Sequence, residues 1–167
     1  MKILCIAFFL IGLMFPRADA GDVADDKKAI QGTWSIIYAF AEGKRLPAEE
    51  IKEVEIVILV DKLTLGKANG REWQYRLDSS KKPKAINLVI ETSKLSKDGN
   101  SVIVAKEKLA GIYELKDDEL RIAWSKGIPL KKDAKDQLEA DKSAVRPSSF
   151  EHGPDVEGVL MFKRVRK

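Results

Sequence analysis

Beyond residue 30 apolar and polar side chains alternate one for one along most of this chain, the period of a strand rather than of a helix. Trp34, Ile36, Tyr38 and Phe40 alternate with Thr33, Ser35, Ile37 and Ala39, which predicts a first strand with one heavily apolar face. Gly43 and Pro47 close it. Pro47-Ala48-Glu49-Glu50-Ile51-Lys52 has proline at a helical first position and acids in the first turn, so one short helical turn is predicted there. Val54, Ile56, Ile58 and Val60 mark the next strand, Asp61-Lys62 a turn, and Leu63 to Leu65 a third strand. Asn69-Gly70 is a hairpin signal, because both residues tolerate the positive φ of a tight type I′ turn. Trp73, Tyr75 and Leu77 then alternate with Glu72, Gln74, Arg76 and Asp78, and Ile86, Leu88 and Ile90 carry a fifth strand. The period is lost around Asp98-Gly99-Asn100, although Val102-Ile103-Val104 would extend a strand edge. Leu109 to Leu115 and Leu120 to Trp124 form a further hairpin, and Val156 to Val165 is the last strand. Residues 131 to 144 are charged and read as a solvated helix on a long loop.

About eight strands joined mostly by short turns predict an all-β domain with one or two short helical segments. An antiparallel set of this number most economically closes on itself, since closure removes the unpaired edges that invite aggregation. The expectation is an eight-stranded antiparallel barrel over 29–167, with a sandwich as the alternative. A barrel of about eight strands has an interior just wide enough to be filled by side chains or to hold one small ligand.

Ahead of the alternating region the pattern changes. Lys2 precedes an apolar run from Ile3 to Phe15, and Ala18-Asp19-Ala20 sets small residues before Gly21, the form of a secretory signal peptide cut after Ala20. The run is shorter than the roughly 18 residues of a membrane span, so no stable membrane insertion is expected. Residues 21–28, polar and acidic, read as a flexible lead-in. Of the 167 residues, 30 are Lys or Arg and 26 Asp or Glu, a net charge of +4 that becomes +3 once Lys2, Arg17 and Asp19 leave with the leader. The single Cys5 leaves too, so no disulfide and no Cys/His zinc site is expected, and no metal or cofactor. Such a chain is expected to be exported, to the periplasm or beyond, and monomeric.

Gly32-Thr33-Trp34 is the G-x-W pattern that opens lipocalins. With Ile30-Gln31, Leu46-Pro47-Ala48-Glu49-Glu50-Ile51, Tyr75-Arg76-Leu77-Asp78, Lys81-Lys82-Pro83-Lys84-Ala85-Ile86-Asn87-Leu88, Gly111-Ile112-Tyr113-Glu114-Leu115 and Arg146-Pro147-Ser148-Ser149-Phe150, it resembles a family of small exported lipocalin-like domains of planctomycete bacteria. The resemblance implies a barrel and no particular activity. The stretches 93–106 and 128–145 look expanded relative to that family. In lipocalins the tryptophan of G-x-W packs beneath a basic residue from the last strand. Lys163, Arg164 or Arg166 would take that place here, with Arg164 preferred.

Candidate chemistry is sparse. Tyr38, Trp73, Tyr75, Tyr113 and Trp124 sit on predicted strands and would line a cavity for a small apolar or amphipathic molecule, or plug the core with each polar tip bonded to backbone. Trp34 is assigned to structure. His152, in the turn-rich Phe150-Glu151-His152-Gly153-Pro154, reads as an exposed loop histidine, because no serine stands in a recognisable nucleophile elbow. Asp117-Asp118-Glu119 and Glu49-Glu50 are turn acids that diverge rather than face one another across a cleft. Lys81-Lys82-Pro83-Lys84 and Lys163-Arg164-Val165-Arg166-Lys167 read as solubilising charge and protection of exposed edges, with contact to phosphate or an anionic surface as the rival reading, and the aromatic signatures of RNA binding are absent, so no nucleic-acid partner is expected. The expectation is a non-enzymatic domain that binds a small ligand inside the barrel. The alternative is an interaction module that uses outer loops 93–106 and 126–155 around a filled interior.

Overall fold

Residues 23–66, 71–95, 102–130 and 145–166 are described by the computed structural model. Their alternating segments become strands β1 (Gly32–Ala41), β2 (Lys44–Arg45), β3 (Glu55–Leu59), β4 (Lys62–Leu65), β5 (Arg71–Asp78), β6 (Ala85–Leu95), β7 (Val102–Lys116), β8 (Glu119–Trp124), β9 (Ile128–Pro129) and β10 (Gly158–Arg164), with short helices α1 (Val23–Ala29) and α2 (Ala48–Ile51). The proposed leader, Asn69-Gly70, Asp98-Gly99-Asn100 and 131–144 lie outside the described residues.

From β3 to β8 each strand pairs antiparallel with the next, as short links favour, and β10 returns after residues 125–157 to pair with β8. The ring then shuts because β1 pairs with β10 on one side and β3 on the other, from Trp34 opposite Arg164 to Ala41 opposite Gly158. β1, β3, β4, β5, β6, β7, β8 and β10 thus form the expected eight-stranded barrel, while β2 and β9 are short additions on β1 and β7.

One residue of β1 breaks the alternation. The register against β10 slips between Ile36, opposite Phe162, and Tyr38, opposite Met161, so Ile37 bulges out and is exposed. Because strand faces alternate with period two, a one-residue bulge exchanges them. Trp34 and Ile36 point into the barrel before it, and Ala39 after it, while Tyr38 and Phe40 join an outer cluster with Ile112, Ala123, Val159, Phe150 and Val156. The expected inward position of Tyr38 is therefore corrected.

The interior is packed with Trp34, Ile56, Ile58, Tyr75, Ile86, Leu88, Tyr113, Leu120, Ile122 and Phe162, all buried. Its ends are stopped by short segments. Residues 21–28 were expected to be a loose lead-in, but Val23–Ala29 is helical, with Asp25 and Asp26 in its first turn and Lys27 and Lys28 in its last, as the helix dipole favours. Asp26 ties this helix to the sheet, accepting from the Tyr113 hydroxyl at 2.5 Å and from Lys84 Nζ at 2.7 Å, and Ile30 follows into the core. At α2 the predicted helical turn forms, and Ile51 packs into the same core.

Tyr75 holds a second closure. Its hydroxyl donates to the Val60 carbonyl at 3.0 Å and its N–H to that of Asp61 at 2.9 Å. Val60 adopts φ 54°, an uncommon conformation for a β-branched residue, which these two bonds help to impose on the β3–β4 turn. Burial, with the Asp61 charge adding to it, pushes the Tyr75 phenol from 10.0 to about 12. Burial and the Asp26 hydrogen bond push Tyr113 up as well. The unfolded chain loses these protons first, so the contribution of both tyrosines is intact below pH 10 and declines as pH rises from 10 towards 12. Urea midpoints at pH 9, 10 and 11 should therefore fall more steeply for the native chain than for Tyr75→Phe/Tyr113→Phe, and equal slopes would refute the assignment.

Candidate functional site

The interior aromatics divide by partner. The Trp34 indole N–H donates to the Ile30 carbonyl at 2.9 Å, and the Tyr75 and Tyr113 hydroxyls are bonded to the Val60 carbonyl and to Asp26. Trp73 and Trp124 are partly buried against the same core. Trp34, Tyr75 and Tyr113 use their polar tips to fasten turns and a helix to the barrel rather than to line a space. Arg164 lies over Trp34, its Cζ 4.1 Å from the ring centroid. It also donates to the Gln31 carbonyl at 2.8 Å and the Ala29 carbonyl at 2.5 Å, and pairs with Asp118 at 3.5 Å. Trp34 and Arg164 thus lock the entry to β1 against the end of β10.

The outer face has a different character. Tyr38 and His152 are hydrogen-bonded, with the hydroxyl 2.6 Å from Nε2, and the imidazole stacks on Phe40 at 3.7 Å between centroids. Arg45 Cζ stands 5.2 Å from the centroid of Tyr38. His152 fastens the 150–157 segment to β1 and is exposed. The turn acids are dispersed as their spacing predicts: Asp118 pairs with Arg164 and Arg166, while Glu49 and Glu50 are exposed on α2. Among the described residues no group of three or more His, Cys, Asp or Glu could hold a metal ion, and no helix is long and apolar enough to cross a membrane.

Arg146 is the residue that sequence reasoning missed. It reaches back from the 145–157 strap onto β6 and β7, where Nη1 donates to the Ile86 carbonyl at 2.9 Å and the Gly111 carbonyl at 2.7 Å, and Nη2 donates to Asn87 Oδ1 at 2.5 Å. Pro147 is buried behind it, and Phe150 packs into the outer cluster. The Arg-Pro-x-x-Phe run supplied the only signal, legible as a motif but not as a clamp.

Between this strap and the 79–84 turn lies a groove of about 550 Å3. Its lining includes Ala85, Ile112, Pro83 and Pro147, and the charged groups Arg76, Lys81, Lys82 and Arg146 against one carboxylate, Asp78. Asp78 is engaged locally, accepting from the Ser80 N–H at 3.1 Å and the Ser80 hydroxyl at 2.5 Å. Neither Lys81 nor Lys82 has an ion-pair partner among the described residues, and both are exposed. Burial pushes the Arg146 guanidinium down, and the Asp78 charge acts against that. A smaller cleft of about 290 Å3 lies on the far side of the same turn, with Lys84, Tyr113 and Phe150 in its lining. Both clefts lie outside the barrel.

No protein-family model, curated protein or solved structure matches the chain.

Proposed function

We propose that this domain is an exported, monomeric, non-enzymatic binding module of lipocalin-like build that works from the outside of a filled barrel. Its binding surface is the groove between the 79–84 turn and the Arg146 strap. The observation that carries this reading is the clamp. A guanidinium fixed on two backbone carbonyls and an amide, in a groove whose other cations are the exposed Arg76, Lys81 and Lys82, is a preorganised polar anchor in an otherwise open concavity. The lumen-binding alternative draws no such support. Tyr75, Tyr113 and Trp34 are bonded to protein groups, and the space between them is occupied by isoleucine, leucine and phenylalanine.

Native mass spectrometry of the chain recovered gently from its own cells tests this. A bound molecule is expected on the native protein and lost from Lys81→Glu/Lys82→Glu, whose side chains are exposed and whose exchange should leave the melting temperature within a degree or two. Displacement of the molecule by N-phenyl-1-naphthylamine, an apolar probe of barrel interiors, or bare protein throughout, would overturn the reading.

A further inference from the structure

We propose that the outer groove takes an oxyanion, a carboxylate or a phosphate, carried on a short apolar body, with Arg146 as its anchoring cation. This rests on the outer-face reading above and adds the chemical class of the ligand.

The argument starts from the donors of one side chain. A guanidinium has five N–H groups in a fixed plane and is always charged at neutral pH. The described bonds of Arg146 use both hydrogens of Nη1 and one of Nη2, and all three acceptors are neutral oxygens. What the described bonds leave is the Nε–H and one Nη2–H, two further donors on one guanidinium for the oxygens of a carboxylate or phosphate. A guanidinium held by neutral carbonyls keeps its full charge, and burial strengthens that charge's effect on a nearby anion. Arg76, Lys81 and Lys82 add to the field. Asp78 opposes it, but its Oδ1 already accepts from Ser80.

The rest of the lining sets what the anion is attached to. Ala85, Ile112, Pro83 and Pro147 give the groove an apolar wall that a bare inorganic ion would leave wet. A few methylene groups joined to the anion would cover it and take that apolar surface out of water. The volume, about 550 Å3, suits a small molecule rather than an extended polymer.

The test is a set of amide chemical-shift titrations of the full domain at constant ionic strength. The probes are inorganic phosphate, hexyl phosphate, hexanoate, long-chain polyphosphate and sodium chloride. Hexyl phosphate or hexanoate is expected to move amides around Arg76, Lys82, Asn87 and Arg146, to saturate, and to bind at least tenfold more tightly than inorganic phosphate. The tighter of the two names the anion. Lys81→Glu/Lys82→Glu should weaken binding at least tenfold while the melting temperature stays within a degree or two. Arg146→Lys keeps the charge and loses the two further donors, so it should weaken hexyl phosphate more than it weakens inorganic phosphate. Equal shifts from chloride would overturn the proposal, as would tighter binding of polyphosphate with shifts spreading to Lys163 and Arg166. If the small anions fail while the native molecule still departs with Lys81→Glu/Lys82→Glu, the ligand class falls and the outer-face reading stands.

Discussion

Trp34→Ala is expected to lower the unfolding free energy by about 3–5 kcal/mol, the range for truncating a large buried aromatic. The side chain is wholly buried, its N–H is bonded to the Ile30 carbonyl, and Arg164 covers one face of its ring. Truncation would open a cavity in the core and remove the surface on which Arg164 rests, where the Arg–Trp contact is itself worth about 0.5–2 kcal/mol. Against a typical stability of about 5–15 kcal/mol, many molecules would be unfolded at 37 °C. Guanidinium denaturation of the native chain, Trp34→Phe and Trp34→Ala separates the parts. Phe keeps most of the volume and loses the indole hydrogen bond, so it should fall between the other two. A loss below about 1 kcal/mol for the alanine variant would show that the barrel entry closes without it.

The second large effect is expected at Gly158. Trp124 sits opposite Gly158 on β10 and opposite Gly111 on β7, and the indole lies over the glycine on β10. A Cβ built on Gly158 would overlap Cζ2, Cε2 and Cη2 of that ring, so the position admits no side chain while the tryptophan stays. Gly158→Val should therefore cost about 3 kcal/mol, at the upper end for overpacking. The cause is testable by a double-mutant cycle. Trp124→Leu removes the obstructing ring, and the pair together should be more stable than the sum of the two single losses by at least about 1 kcal/mol. Additivity would mean that the glycine is required for its backbone alone.

The sequence pattern made most of the barrel readable because most of its strands keep a period of two and the short links imply antiparallel neighbours. β3, β4, β5, β8 and β10 all appear where the alternation placed them. The pattern misled where a local rule was overridden from a distance. Nothing in Ser35-Ile36-Ile37-Tyr38 announces that Ile37 will bulge, since that choice is made by pairing with a strand more than a hundred residues away. The helix at Val23–Ala29 looked like a polar tail because what holds it, Asp26 against Tyr113 and Lys84, is also remote in sequence. The groove was half legible. Lys81-Lys82-Pro83-Lys84 stood out as a cationic cluster, but Arg146 had no neighbour in sequence to mark it as the anchor, and its partners are carbonyls that any residue carries.

Seaming the last strand to the first has a mechanical consequence. Because β1 begins where β10 ends, with Trp34 beside Arg164, the polypeptide enters and leaves the cylinder side by side. Tension applied through residues 23 and 166 would load the seam's hydrogen bonds one after another, like a zip fastener, instead of shearing them together. The Trp34–Arg164 lock is the tooth that takes the strain first.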